Sequence, residues 1–410
     1  MKKFTKLFAV AFAAMTLATA CSDEQGGEGI VLTETESAIL ADYADDVILA
    51  RYDELATKGA ELLTAVKAIQ KSNDEDKTNL IATACTAWKD ARVSWERTEA
   101  YLFGPVDTEG IDPGIDSWPL GLTSLQASIS GWDDTKTYTD LFGQDDIKGF
   151  HAIEYVLFKN GQAKTTTINT FDSAYGITVT EEELEYYLVC VTEEFYRCVL
   201  YLKAAWDKDL LTSTEETALA NYGLTGGSYA TTFKNPGLDN AYYSSFNVAV
   251  EEAFIGVYGI VDEVAKIKIT DPIEAELAIT NSGLLLVESW FSHNSITDFI
   301  NNIRGVKEAY TGVLCTDSSN EATFDASETY ATNSLAALVA SKQSGVDDED
   351  EEYDLNAEVI AQINLALEAV KDMPIPFRDN LTWSNENRTA QVQLLMLEDM
   401  LQEAQDVAME

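Results

Sequence analysis

The chain has 410 residues, with 27 Lys or Arg against 70 Asp or Glu and a formal charge of −43. That balance makes nucleic acid, heparin and anionic lipid surfaces poor partners and favours cations. Most of the charge serves as solvated helix faces.

The chain opens with MKKFTK and an apolar stretch from Leu7 to Ala20, shorter than the ~20 residues a permanent membrane helix needs. A basic start, a short apolar core and small residues before the cut predict a secretory signal over residues 1–20. Leu17-Ala18-Thr19-Ala20-Cys21 is similar to a bacterial lipobox, so Cys21 is the expected lipidation site and first mature residue. Several acyl chains would make such an anchor stable. Residues 21–34 are expected to be a flexible tether, because SDEQGGEG is polar and Gly-rich. Its acidic residues resemble the surface-export signal of some Bacteroidetes lipoproteins. No later segment reads as a membrane span.

From there helical periodicity dominates. Helices are predicted at about 36–70, 149–158, 295–311, 354–372 and 386–408. Apolar residues also recur at spacings of three and four from Leu80 to Leu102, from Leu184 to Trp206 and from Val250 to Val264. Alternation of period two is scarce, so the fold class is all-α, built as helical bundles. Two long loops interrupt the helices, Gly104–Asp134 and Tyr222–Asn240; loops of that length are usually functional or disordered. The acid run after Val346 reads as a solvated linker. The length suggests two domains, 35–210 and 211–410. Cys190 and Cys198 lie about 12 Å apart along one helix, too far to bridge each other. With no CxxC, buried thiols are expected at Cys85, Cys190, Cys198 and Cys315.

The two histidines, His151 and His293, decide several questions. An HExxH zinc site and a three-His site are excluded, and no GxSxG elbow accompanies a catalytic serine. His151 and Glu154 stand at i and i+3 on one helix face, where both can meet one cation. Gly149 at the start of that helix would let another backbone come close. Arg92, Glu96 and Glu99 form a second stripe beside Trp88 and Trp95. Carboxylates there, facing His151, would make an oxygen-rich site for iron or another divalent cation. The bland alternatives are a surface His–Glu contact and a solvated charged face. Asp107, Glu109, Asp112 and Asp116 follow in the first loop without the EF-hand pattern. Ser292, Asn294 or Ser295 is expected to cap the next helix.

Several linked motifs resemble the imelysin family. They are Trp88-x3-Arg92-x2-Trp95-Glu96-x2-Glu99-Ala100-Tyr101-Leu102-Phe103-Gly104-Pro105, then Asp116-Ser117-Trp118-Pro119, then Gly149-x-His151-x-x-Glu154 as GxHxxE. Ser289 to Ser295, Asp298-x3-Asn302 and Tyr310-Thr311-Gly312 resemble its second-half motif. The resemblance implies two tandem helical-bundle domains with a site at their interface around GxHxxE. It implies His151, Glu154, Glu96 and Glu99 as metal or ligand residues, with Gly149, Arg92, Trp95, Asp116, Ser292, His293 and Asn294 lining the site. His293 departs from the family pattern at its position. Members are cell-envelope proteins, often tied to iron acquisition, including the iron-regulated protein A type. The family is classed with peptidases after an insulin-cleaving membrane protease.

Three functions stay open on these grounds. The first is a lipid-anchored envelope protein, at the outer membrane and facing the periplasm or the cell surface. It would bind iron or a small iron-containing ligand for uptake, with an envelope transporter as partner. The second is a metal-dependent peptidase, ranked lower because catalytic zinc ordinarily takes three protein ligands. The third is an interaction lipoprotein that binds no metal.

Overall fold

The computed structural model describes residues 31–72, 77–165, 179–237, 242–278, 281–315, 329–343 and 354–410. The predicted signal, Cys21, most of the tether and the acid run after Val346 lie outside them. Among the described residues no helix is long and apolar enough to cross a membrane.

The protein is all-α, as its periodicity predicts. The main helices are α1 (Glu34–Asp42), α2 (Ala50–Lys71), α3 (Thr78–Glu96), α4 (Phe150–Leu157), α5 (Glu181–Trp206), α6 (Phe246–Asp262), α7 (Ser295–Thr311), α8 (Leu355–Lys371) and α9 (Asn385–Met409). A two-stranded hairpin, β1 (Phe158–Lys159) and β2 (Gln162–Ala163), follows α4.

Local chemistry sets the helix ends. Thr180 and Glu183 form a capping box ahead of α5, three glutamates fill its first turn and Lys203 sits in its last. Both ends thus complement the helix dipole. Gly312, with φ +68°, closes α7 in the left-handed conformation a helix stop favours. The predicted helix at 36–70 is one continuous path with a π-helical stretch, Tyr43–Leu49, between α1 and α2. A second π-helical stretch, Glu263–Thr270, continues α6. The first long loop holds three short helices, Pro105–Thr108, Asp112–Ile115 and Leu122–Ile129, and the second holds Tyr229–Lys234.

α2 packs on α3 and α5, and α4 closes against α3 and α5. In the second half α9 packs on α6 and α8, and α7 on α6 and α8. The halves meet where α7 lies on α3 and where α6 and α7 press on the turn Glu99–Tyr101. Glycine makes that approach possible: a Cβ on Gly305 would stand 2.4 Å from the Arg97 carbonyl oxygen, and one on Gly256 2.4 Å from that of Ala100. One apolar cluster runs from Ile39 to Ala408 through both halves.

None of the four cysteines after Cys21 forms a disulfide; Cys85, Cys190 and Cys198 are buried as expected. Cys315 is half-buried instead, because it lies past the end of α7 rather than on a packed helix face.

Candidate metal centre

The stripe on α3 points inward. Arg92 and Glu96 are fully buried, and Glu99, on the turn beyond, is 8 % exposed. The solvated-face alternative is therefore wrong for these residues. The apolar neighbours Trp88, Ala91 and Trp95 fill the rest of the buried surface of α3 and carry the charges into the interior with them. The His151–Glu154 pair is likewise fully buried, so the surface-contact alternative fails too.

Gly149 brings the first loop to α4. Its φ is +79°, and a Cβ there would stand 2.5 Å from the Ile115 carbonyl oxygen. With that space empty, Asp116 reaches His151: Asp116 Oδ1 is 3.1 Å from Nε2. Trp95 Nε1 donates to Asp116 Oδ2 at 2.6 Å.

His151 is held from both sides. Its Nδ1 is 3.1 Å from Glu154 Oε2. Glu154 Oε1 accepts two bonds of 2.7 Å, from the backbone N–H and the hydroxyl of Ser292. Both Glu154 oxygens are thus engaged by the protein, and the carboxylate fixes the imidazole with Nε2 turned to Asp116 and Glu288. Nε2 makes no aligned hydrogen bond, and Glu288 Oε1 lies 3.7 Å from it. The Trp118 ring covers the imidazole, with centroids 4.5 Å apart, and Trp118 Nε1 donates to the Leu286 carbonyl at 3.3 Å.

Two cations enter this cluster. The Arg92 guanidinium pairs with Asp116, Glu288 and Glu96, and its Nε lies 3.5 Å from Asp298 Oδ2. Lys268 arrives from the π-helical stretch after α6. Its Nζ is 2.8 Å from Glu99 Oε2, 3.0 Å from Glu288 Oε2 and 3.6 Å from Glu96 Oε2. π-helical turns are frequent at functional sites because they shift side-chain direction within a helix.

α7 supplies the remaining partners. Asn302 Nδ2 donates at 2.6 Å to both Glu96 Oε2 and Glu99 Oε2. Asn294 Nδ2 donates to Asp298 Oδ1 at 2.6 Å. Ser295 Oγ donates to the Glu288 carbonyl at 2.6 Å. The expected capping role fails for Ser292, Asn294 and Ser295. Asn294 stands at the N-cap, yet its side chain makes no cap bond; all three side chains serve the cluster instead.

His293 faces away from this centre. It takes φ +61° and packs on the hairpin turn, where a Cβ on Gly161 would stand 2.5 Å from its Nδ1. Burial, reinforced by Arg378, lowers its pKa.

Six buried carboxylates (Glu96, Glu99, Asp116, Glu154, Glu288 and Asp298) thus face Arg92, Lys268 and His151. The surplus of acid shows in the titration. Burial raises Glu96 and Glu99, and it lifts Asp298 to about 6. Asp116 and Glu288 go the other way: burial alone would raise both, but Arg92 and His151, with Lys268 at Glu288, overcome it. Asp116 falls to about 2. Burial opposes the His151 charge, and the nearby carboxylates of Asp116, Glu154 and Glu288 outweigh that and raise its pKa. Groups pushed apart in this way mark functional centres more often than plain structural pairs.

Two sets of three donors lie with all ligand atoms within 4.8 Å of one another: Asp116, His151 and Glu288, and Glu96, Glu99 and Asp116. One imidazole and two carboxylates are a donor set for a borderline-to-hard cation such as iron or manganese. Of the residues singled out in the sequence, Arg92, Trp95, Glu96, Glu99, Asp116, Gly149, His151, Glu154, Ser292 and Asn294 all build this centre. Sequence reasoning missed Lys268 and Glu288 as members. Asp298 and Asn302 were visible only as part of the resemblance to the family's second-half motif.

An all-helical chain with a buried carboxylate–histidine centre is the class these observations define. A sequence model of the imelysin family matches residues 48–406, and the chain belongs to that family. Iron-regulated protein A of Synechococcus elongatus is 27 % identical over 297 residues, 72 % of this chain and 68 % of the relative. A crystal structure described as an iron-regulated protein A precursor from Parabacteroides distasonis is 30 % identical, with TM-score 0.70 over 93 % of this chain and 97 % of that one. An imelysin-like protein from Psychrobacter arcticum shares the fold, with TM-score 0.56 over 92 % of this chain and 94 % of that one at 13 % identity.

Proposed function

We propose that this imelysin-family protein captures iron in the cell envelope, held at the membrane by the lipidated Cys21. The cation, as cargo, would be bound by Asp116, His151 and Glu288. One observation carries the reading: three donors from separate segments converge within 4.8 Å, and His151 Nε2 makes no aligned hydrogen bond there.

The residues fit such a cargo. Glu154 fixes the ring so that Nε2 faces the two carboxylates, the arrangement a metal-ligating histidine needs. The surplus of buried acid gives a cation an electrostatic reason to enter. The relative from Synechococcus elongatus is named for regulation by iron, in keeping with that choice of metal. Two tandem bundles, 35–210 and 211–410, would meet at the centre, and an envelope transporter would receive the cargo. His151 is fully buried beneath Trp118. A single ion reaches such a place more readily than a peptide backbone, which favours capture over peptide hydrolysis.

Titrating metal-free protein with Fe(II), Fe(III) and Zn(II) tests this, read by calorimetry and by tryptophan fluorescence. Saturable iron binding in the wild type, lost in Asp116→Asn/Glu288→Gln, is the expected result. Iron binding undiminished in that double variant, or absent from the wild type, refutes it.

A further inference from the structure

The described parts of the two long loops flagged in the sequence converge at the C-terminal end of α5. Between them lies a pocket of about 270 Å³, walled by Pro105, Tyr201, Tyr229 and Tyr242 and floored by Gly226 and Gly227. Its volume is near the lower end for small-molecule sites.

The pocket is rigidly built. The glycine floor is bonded to the end of α5: Gly227 N–H donates to the Ala204 carbonyl at 2.8 Å, and Lys208 N–H to the Gly227 carbonyl at 3.1 Å. A Cβ on Gly227 would stand 2.8 Å from the Ala205 carbonyl oxygen, so a larger residue would lift the floor into the pocket. Gly104, with φ +70°, makes room for Tyr229, since a Cβ there would stand 2.4 Å from the ring. The Tyr229 hydroxyl lies 2.7 Å from that of Tyr243, which donates to Glu252. The ring also packs on Trp206 with centroids 5.0 Å apart. Tyr229 is therefore a fixed wall. Tyr242 packs edge-to-face with it, at 72° and 6.1 Å, and is 62 % exposed. Leaving that much of an aromatic ring in water has a use when the ring is a platform for a ligand.

The lining chemistry narrows the ligand. Among the described residues that line the pocket, Glu109 alone is charged. None of those described lining residues is basic, so none of them favours a phosphate or carboxylate. One carboxylate is too few for a dedicated all-protein cation cage. Glu109 is exposed, and the Tyr201 hydroxyl lies 3.5 Å from its Oε2. Thr108, Thr225 and Ser228 add hydroxyls beside the glycine backbone. One exposed aromatic face for an apolar ring surface, one carboxylate acceptor and several small hydroxyls are the complement of a neutral polyhydroxylated ring.

We propose that this pocket binds a neutral sugar, independently of the metal centre. The exposed Tyr242 face takes the C–H surface of the ring beside the Tyr229 wall, and Glu109 accepts from its hydroxyls. Saturation-transfer NMR with glucose, galactose, mannose, N-acetylglucosamine and maltotriose tests this, with glucuronate and a proline-rich peptide as controls. Expected is saturable binding of at least one neutral sugar, weakened about tenfold or more in Tyr242→Ala and in Glu109→Gln. His151→Ala should bind that sugar as the wild type does. Both pocket positions are at the surface, and an unchanged melting temperature confirms intact folding. Absence of saturable binding for every neutral sugar overturns the proposal. So does wild-type binding in Tyr242→Ala, or a clear preference for glucuronate or the peptide.

Discussion

Arg92→Gln is the most informative perturbation of the charged centre, because Arg92 holds the same two carboxylates, Asp116 and Glu288, that would bind iron with His151. The guanidinium acts as a built-in competitor for an entering cation. A unit charge about 4 Å away, at an effective dielectric of about 20, repels each unit of charge on the cation by about 4 kcal/mol. Removing it should tighten the binding of a divalent cation by about a thousandfold or more. The same change leaves Asp116, Glu288 and Glu96 without their main counter-charge. Breaking a buried pair from one side costs about 3–5 kcal/mol, so the metal-free variant should be clearly less stable. Urea denaturation with and without Mn(II) or Fe(II) reads both effects. The expected result is a lower midpoint without metal and a larger metal-induced rise than in the wild type. A metal-induced rise equal to or smaller than that of the wild type would refute the competition argument and leave Arg92 as a required part of the binding site.

Three further outcomes follow from single contacts. Glu154→Gln should weaken metal binding about 10–100-fold, since it disturbs the group orienting His151 rather than a ligand, and it should also lower stability, since it breaks a buried pair from one side; calorimetric titration and denaturation check it. Gly149→Ala should cost at least about 1–3 kcal/mol through backbone strain, and it should also impair binding as Ile115 and Asp116 are pushed off α4; denaturation and metal titration on one sample test both. Lys164, buried beside Tyr155 with its Nζ donating to the Tyr155 carbonyl at 2.9 Å, is lowered by burial to about 7. Because its folded pKa lies below its unfolded one, the unfolded chain binds the extra proton between about 7 and 10.5, and stability rises with pH across that window. Lys164→Met should therefore be most stabilising below pH 7 and lose that advantage toward pH 10.5. A difference independent of pH would contradict this account.

The fold class was legible because apolar residues repeat at helical spacing over most of the chain. The site was legible in part, for a local reason. His151 and Glu154, and Arg92 with Glu96, lie one turn apart, so their shared face follows from helix geometry alone. Asp116 stood out beside Trp118-Pro119. Lys268 and Glu288 did not, because nothing local marks them. Lys268 sits where a π-helical stretch shifts the direction of a side chain that the ordinary period would read as a solvated lysine. Glu288 lies in an irregular segment just before α7, and its partners Arg92 and His151 are far from it in sequence. His293 shows the reverse case. Its neighbour Ser292 reaches Glu154, while the positive φ at His293 turns its own ring to the hairpin.

The charged centre also binds the two ends of the polypeptide into one folding problem. Arg92, Glu96, Glu99, Asp116 and His151 come from the first half, and Lys268, Glu288, Asp298 and Asn302 from the second. Neither half can neutralise its own share in isolation. A fragment ending near residue 210 would expose Arg92 and its acids where α7 had covered them, and the complementary fragment would leave Lys268 without Glu99. Thermal unfolding should therefore be a single cooperative event, with the charges acting as a lock on assembly. A chain that has folded only one half leaves its share of these charges hydrated until its other half arrives.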